Sequence, residues 1–353
     1  MKQVKSLAWS HRIQSGGTLG LLALALWGCQ PENTPAEREH VTADVADSTS
    51  HFESLILGNP QAPQPFVERA TWHIRQGRIT EGLRDLDLAI EADSTCGDAW
   101  STKADILYLT QAFEPCIEHL DVCLKLAPDH TPCMLRRAEM HIHLRQYAEA
   151  FDQLNNALRQ NPLLHEAYWM KGIIYREQGN ADNAKSSFQT AVEVNPNFFD
   201  GWIALGLAYA AESDTLAVAY YSTAIELKPR SVEARYNLAY FLQEFTPTRD
   251  DYLNRAMALY KDIREIDPEN ATAPFNQGYI QLEYLANYDS ALVYFTQAIE
   301  ALPYYHQAFF NRGLAWESLN QRNEAELDYR EALRIQPDYT PAALALERVL
   351  RGG

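Results

Sequence analysis

Residues 184–209 read AKSSFQTAVEVNPNFFDGWIALGLAY, and this stretch decides the fold. Ala184, Phe188 and Ala191 fall at helical spacing, so two small side chains and one ring share a helix face. Asn195-Pro196 follows, and the proline ends that helix because it has no N–H and clashes with the turn before it. A second apolar run, Trp202, Leu205, Gly206 and Tyr209, then falls on one face of another helix.

Outward from this stretch the pattern recurs. Pro128, Pro162, Pro196, Pro229, Pro268, Pro303 and Pro337 are separated by 34, 34, 33, 39, 35 and 34 residues. Five positions before each proline stands a small residue: Cys123, Ala157, Ala191, Ala224, Ala298 and Ala332, with Ile263 the exception. Eight before stands a bulky one: Leu120, Leu154, Phe188, Tyr221, Tyr260, Phe295 and Tyr329. Twelve before stands another small one: Cys116, Ala150, Ala184, Ala217, Ala256, Ala291 and Ala325. Small residues at a helix crossing let two backbones approach, and the large ones fill the space beside it.

Trp202-x2-Leu205-Gly206-x2-Tyr209, Gly172-x2-Tyr175 and Gly313-x2-Trp316, each with its Ala-x3-aromatic and proline partners, resemble the tetratricopeptide repeat (TPR) family. The resemblance covers eight units, 63–96, 97–130, 131–164, 165–198, 199–231, 232–270, 271–305 and 306–339, or 277 of 353 residues. It implies an all-α, right-handed superhelical α-solenoid of helix-turn-helix repeats in which neighbours supply each other's core. Repeat one is degenerate, with Gly82 and Ser94 at the alanine and proline positions. Residues 340–353 are expected to be a capping helix and tail, with Thr340-Pro341 starting it and Leu344, Val349 and Leu350 covering the last repeat. Repeat six carries about five extra residues near Thr246–Asp251, either a contact loop or drift in a turn.

Residues 1–28 read as an export signal: basic Lys2, Lys5 and Arg12, then a short apolar run from Thr18 to Trp27. Leu26-Trp27-Gly28-Cys29 resembles the lipobox of bacterial lipoproteins, which implies acylation (diacylglycerol, palmitate) at Cys29; an ordinary secretory signal is the alternative. Gln30 after the cysteine points to an outer-membrane anchor facing the periplasm of a bacterial cell envelope. Residues 29–62 read as the lipidated cysteine and a flexible tether, because they are too polar to offset their ordering entropy. Phe52–Leu57 is a brief apolar patch within it.

The net charge of −17, with 30 basic against 47 acidic residues, argues against nucleic acid as a partner. No phosphate loop, nucleophile elbow or zinc-binding helix motif is present, so the reading has no catalytic residue, cofactor, metal or small-molecule substrate. Cys116 and Cys123 read as buried core. Cys96 and Cys133 read as free thiols, with a mutual disulfide as the alternative.

In the TPR family, positions two, five, six, nine and twelve of each repeat line a peptide-binding concave groove. Here they give Tyr236, Asn237 and Tyr240, then Phe275, Asn276 and Tyr279, then Phe310, Asn311 and Leu314. Trp169, Met170, Ile173, Ile203 and Leu207 extend this as an apolar strip. The repeated asparagine resembles the ladder that holds peptide backbones in O-linked N-acetylglucosamine transferases; ordinary packing between repeats is the alternative. Chaperone-binding TPRs surround such asparagines with Lys and Arg, whereas here stand Glu233, Gln243, Glu244, Glu283 and Glu317. A neutral to basic protein segment is therefore expected rather than an acidic C-terminus. The expected function is a non-catalytic, membrane-anchored scaffold holding a protein or extended peptide. The alternative is a structural subunit of an envelope complex, touching partners through repeat edges and convex faces.

Overall fold

The computed structural model describes residues 50–245 and 250–351. The export signal, Cys29, most of the tether, residues 246–249 of the insertion and the two terminal glycines lie outside the described residues. Among the described residues there are helices and turns and no strand, as expected. The chain divides into two compact units, Met1–Glu177 and Gln178–Gly353, with the boundary between the two helices of repeat four.

In the first unit, α1 spans residues 50–58. It is followed by α2 (Gln64–Arg75), α3 (Ile79–Ala92), α4 (Gly97–Leu109), α5 (Phe113–Leu126), α6 (Thr131–His143), α7 (Tyr147–Gln160) and α8 (His165–Glu177). Helix α1 occupies residues expected to be tether. Its Phe52 ring lies 6.1 Å from Trp72 and its Ile56 packs on the Phe66–Leu86 cluster, so the apolar patch docks on repeat one. Basic residues knit successive repeats: Lys103 Nζ reaches Asp87 at 2.5 Å, Arg137 reaches Asp121 at 3.1 Å and Lys171 reaches Asn155 at 3.3 Å.

The cysteines differ from expectation. Cys123 and Cys133 form a disulfide with Cα atoms 6.5 Å apart, while Cys96 and Cys116 are free. The stop at Pro128 folds the end of α5 back onto the first turn of α6, which brings two residues only ten apart into register.

The second unit comprises α9 (Ala181–Val194), α10 (Phe199–Ala211), α11 (Leu216–Leu227), α12 (Val232–Phe245), α13 (Asp250–Ile266) and α14 (Thr272–Tyr279). A π turn over Ile280–Tyr284 follows, then α15 (Tyr288–Ala301), α16 (His306–Ser318), α17 (Arg322–Ile335) and α18 (Thr340–Arg351). The second helix of repeat six, α13, has 17 residues against 14 in α15 and α17, so part of the insertion lengthens a helix.

Each second helix from repeat two onward ends two residues before its proline. The intervening residue is pushed off helical geometry, as at Asn195 (φ −133°, ψ 94°) and Gln336 (φ −128°, ψ 91°), because the proline ring crowds it. The bulky and small positions of the repeat are buried throughout; Phe188, Tyr260, Phe295 and Tyr329 have no exposed surface. Gly206 and Gly313 sit against the Tyr221 and Tyr329 rings, where a Cβ would overlap the ring. The turn inside a repeat uses a left-handed residue, at Gln111, Arg145, Ser213, Ala286 and Asn320 as well as at Gly77 and Gly179. The final helix buries Ala342, Ala345 and Val349 on repeat eight, and Arg348 makes two 2.7 Å bonds to Glu317. Leu344 and Leu350, expected to cover the repeat, face solvent instead; alanines give the closer helix approach.

Candidate functional site

The first helices of repeats five to eight, α10, α12, α14 with its π turn, and α16, carry most residues expected to line a binding face. The structure sorts them by burial. Asn276 is 4% exposed and donates from Nδ2 to the Thr272 carbonyl at 2.9 Å; Asn311 is 8% exposed and donates to the Gln307 carbonyl at 2.8 Å. Both amides therefore bond back to their own helix rather than presenting a ladder. Asn237 is half-buried. Phe275 packs against Phe295 at 5.7 Å and Tyr305 at 4.9 Å, and the buried Phe310 against Tyr329 and Tyr339. Leu314 joins the apolar cluster between repeats seven and eight. Asn276, Asn311 and Phe310 are buried and offer little surface to a ligand, while Phe275 and Leu314 are half-buried and pack between repeats.

The residues of the apolar strip also differ in burial. Trp169 is half-buried, and Ile173 and Met170 are buried, in the first unit. In the second, Ile203 lies in the core beside Tyr221 and Leu238, and Leu207 keeps an open face.

What remains is a half-buried tyrosine cluster on α12, α14 and the π turn that follows it. Tyr236 and Tyr240, one helical turn apart, stack with ring centroids 6.1 Å apart and planes 13° from parallel. Tyr279 meets Tyr284 edge-on at 6.0 Å, and the Tyr284 hydroxyl donates to Glu244 Oε1 at 3.4 Å. Sequence reasoning missed Tyr284, which stands outside the family's groove positions. The π turn brings it in: the Leu285 N–H bonds the Ile280 carbonyl five residues back, which takes up one extra residue. The signal was in the spacing, since Pro268 and Pro303 are 35 residues apart rather than 34.

Two exposed carboxylates, Glu244 and Glu283, border these rings. Burial pushes the Tyr279 phenol up to about 12, and the negative charges of Glu283 and Glu244 add to the effect. Burial, with Glu244 and Tyr279 beside it, pushes the Tyr284 phenol up as well. Both phenols thus remain hydrogen-bond donors at neutral pH. Gln243 and Glu317 are already engaged within the protein. Gln243 is buried and accepts from the Tyr260 hydroxyl at 3.1 Å, and Glu317 is held below the usual carboxylate range by Arg348.

Glu233 is half-buried, and burial followed by the negative Asp200 raises its carboxyl, against the pull of Lys228. A carboxylate whose folded pKa exceeds its unfolded one costs stability while ionised, and the cost disappears as pH falls through the folded value. Glu233→Gln is therefore expected to raise the melting temperature at about pH 7, and the gain should vanish at about pH 4. Thermal denaturation at the two pH values measures this; an equal or larger gain in acid would contradict it. A cation docked beside Asp200 and Glu233 would relieve the same cost.

Comparison with known proteins follows the geometry. The tetratricopeptide repeat family model matches residues 165–198 and 280–340. Tetratricopeptide repeat protein 6 of Homo sapiens is 25% identical over 57% of this chain and 38% of its own length. Anaphase-promoting complex subunit 3 of Schizosaccharomyces pombe is 24% identical over 65% of this chain and 33% of its own length. Protein O-mannosyl-transferase TMTC3 of Homo sapiens is 23% identical over 61% of this chain. The chain spans about a quarter to two fifths of the length of these relatives. Among solved structures, the C-terminal part of a TPR repeat-containing protein from Cytophaga hutchinsonii superposes with a TM-score of 0.58. It has 15% identity and covers 70% of this chain and 99% of that one, a likeness of fold alone. With the buried helix crossings and the proline stops in the positions that the repeat requires, the chain is a tetratricopeptide-repeat protein.

Proposed function

We propose that this protein is a non-catalytic scaffold of a bacterial cell envelope, anchored by acylation of Cys29, that holds a neutral to basic protein segment on the tyrosine face of its second unit. TPR arrays serve protein–protein contact through the surfaces their stacked helices create. The observation that carries the reading is the cluster of Tyr236, Tyr240, Tyr279 and Tyr284 bordered by Glu244 and Glu283. Tyrosines supply contact area at little entropic cost, and the stack also attracts cations. The carboxylates favour Lys or Arg on the ligand and repel an acidic one. The second helices also expose apolar residues such as Val293 and Leu327, and ordinary surfaces do the same.

The test is fluorescence anisotropy of the full chain with two labelled extended peptides of equal length, one rich in Leu and Arg, the other in Leu and Glu. The basic peptide is expected to bind at least about tenfold more tightly, a difference of about 1.4 kcal/mol. Tyr240→Ala combined with Tyr279→Ala should remove at least that much affinity and leave the helical content unchanged. Equal binding of both peptides, or no loss in the variant, would overturn the reading. For the anchor, Cys29→Ser is expected to move the chain from the membrane fraction to the soluble fraction after cell lysis, because a single signal then no longer carries acyl chains. Retention on membranes would contradict acylation.

A further inference from the structure

Three side chains in the first unit converge on one point. Cys123 lies near the end of α5, His130 caps α6, and Cys133 stands in the first turn of α6. One ligand-capable atom from each, two sulfurs and a ring nitrogen, lie within 4.8 Å of one another. Both cysteines are buried and His130 is half-buried.

The histidine is oriented. Its Nε2 lies 2.9 Å from Asp98 Oδ1, so that nitrogen carries the proton and donates it to the carboxylate. Its Nδ1 faces the sulfurs, 3.8 Å from Cys123 Sγ, and accepts a long 3.3 Å bond from the Cys133 N–H. Gly97 makes room for the ring, since a Cβ there would overlap it. The Gly97 carbonyl lies 3.8 and 3.9 Å from the two sulfurs. A disulfide that only stapled repeats two and three would need neither the aimed imidazole nor its carboxylate.

We propose that Cys123, Cys133 and His130 form a redox-gated site for one thiophilic divalent cation of the zinc class. In the oxidised chain the two sulfurs are bonded to each other and no site exists. A dithiol reductant gives up two electrons and two protons, the S–S bond breaks, two thiols form, and the reductant leaves as its own disulfide. The cation then displaces two thiol protons. Two thiolates and neutral His130 Nδ1 supply three ligands, and water or the Gly97 carbonyl completes a tetrahedron. Coordination replaces the long bond from the Cys133 N–H. Asp98 holds the tautomer, as carboxylates do behind metal-bound histidines. The cation takes over the disulfide's role of joining α5 to α6.

The experiment uses the full chain, reduced with a water-soluble phosphine, desalted without oxygen and titrated with zinc against a chromogenic chelator. One zinc per reduced chain is expected, with none bound at this site in the oxidised chain. Asp98→Asn should weaken binding about 10-fold or more. Cobalt(II) in place of zinc should show a thiolate charge-transfer band and a tetrahedral visible spectrum. The Cys123→Ser, Cys133→Ser double variant should lose the stoichiometric zinc. If circular dichroism shows that variant unfolded, His130→Ala, which keeps both thiols, decides: at least about a 10-fold loss of affinity supports the site, and unchanged affinity overturns it. The proposal is also overturned if the disulfide resists reduction while the chain is folded, if reduced chain binds no more zinc than the double variant, or if the cobalt spectrum lacks the thiolate band.

Discussion

Replacing Phe295 by Ala is expected to destabilise the second unit by about 3–5 kcal/mol, the range for truncating a fully buried aromatic. The Phe295 ring has no exposed surface, fills the space over Gly278 and meets Phe275 at 5.7 Å. A Cβ at Gly278 would overlap that ring, so glycine and phenylalanine are matched in size across the crossing of α14 and α15. Truncation leaves a void that the α14 backbone cannot fill without moving. Phe275 also packs on Tyr305, so the loss reaches the seam with repeat eight. Urea unfolding should show a lower midpoint, and amide exchange should accelerate in residues 271–339. Phe295→Leu, which keeps most of the volume, should cost about 1.5 kcal/mol or less. An unchanged midpoint in Phe295→Ala would mean that the crossing is not the source of stability.

The second large effect is electrostatic. Asp328 is 5% exposed and accepts two bonds from Arg312, at 2.8 Å from Nε and 2.7 Å from Nη2. Burial, with the negative Glu331 adding to it, raises the Asp328 carboxyl, and the Arg312 guanidinium opposes this. Asp328→Ala leaves the guanidinium with the Thr296 hydroxyl of repeat seven, 3.1 Å from Nη1. Removing one member of such a pair is expected to cost about 3 kcal/mol, the lower part of the buried-pair range, because the arginine keeps some contact with water. Replacing both by apolar residues, Arg312→Met with Asp328→Leu, should recover most of the loss. Chemical denaturation of the two single variants and the double variant measures the coupling. A double variant no more stable than Asp328→Ala would contradict the account. Arg69 and Asp85 make the same paired contact in repeat one, at 2.8 and 2.6 Å, from the equivalent positions.

The repeat was legible in the sequence because three properties coincide at fixed offsets: a proline that stops a helix, small residues where backbones cross, and a large residue that fills the gap. Each has a local physical cause, so each leaves a mark in composition at its own position. Ile263 illustrates the tolerance of the pattern: it stands where alanine is usual and is still fully buried. The candidate site was legible only in part. Tyr236, Tyr240 and Tyr279 are half-buried, whereas Asn276 and Asn311 turn back onto the Thr272 and Gln307 carbonyls. A side-chain amide one turn from a carbonyl bonds it at no cost in chain order, and the sequence carries no sign of whether an outside partner competes. Phe275 and Phe310 are as aromatic as Tyr240, but their hydrophobicity serves a seam and not a surface.

The sequence by itself determined that the described residues carry a run of helix pairs, that a proline stops the second helix of each pair from repeat two onward, and which residues fill the crossings, because those choices are made within one repeat. The tertiary structure decided what depends on neighbours. It joined Cys123, buried in the core as expected, to Cys133, since a turn at Pro128 sets their separation. It assigned Phe275 and Phe310 to packing, and it brought Tyr284 to Glu244 through a π turn that absorbs a single extra residue. Residues from different helices meet only when the angle and register between those helices are fixed, and that is a property of packing rather than of spacing along the chain.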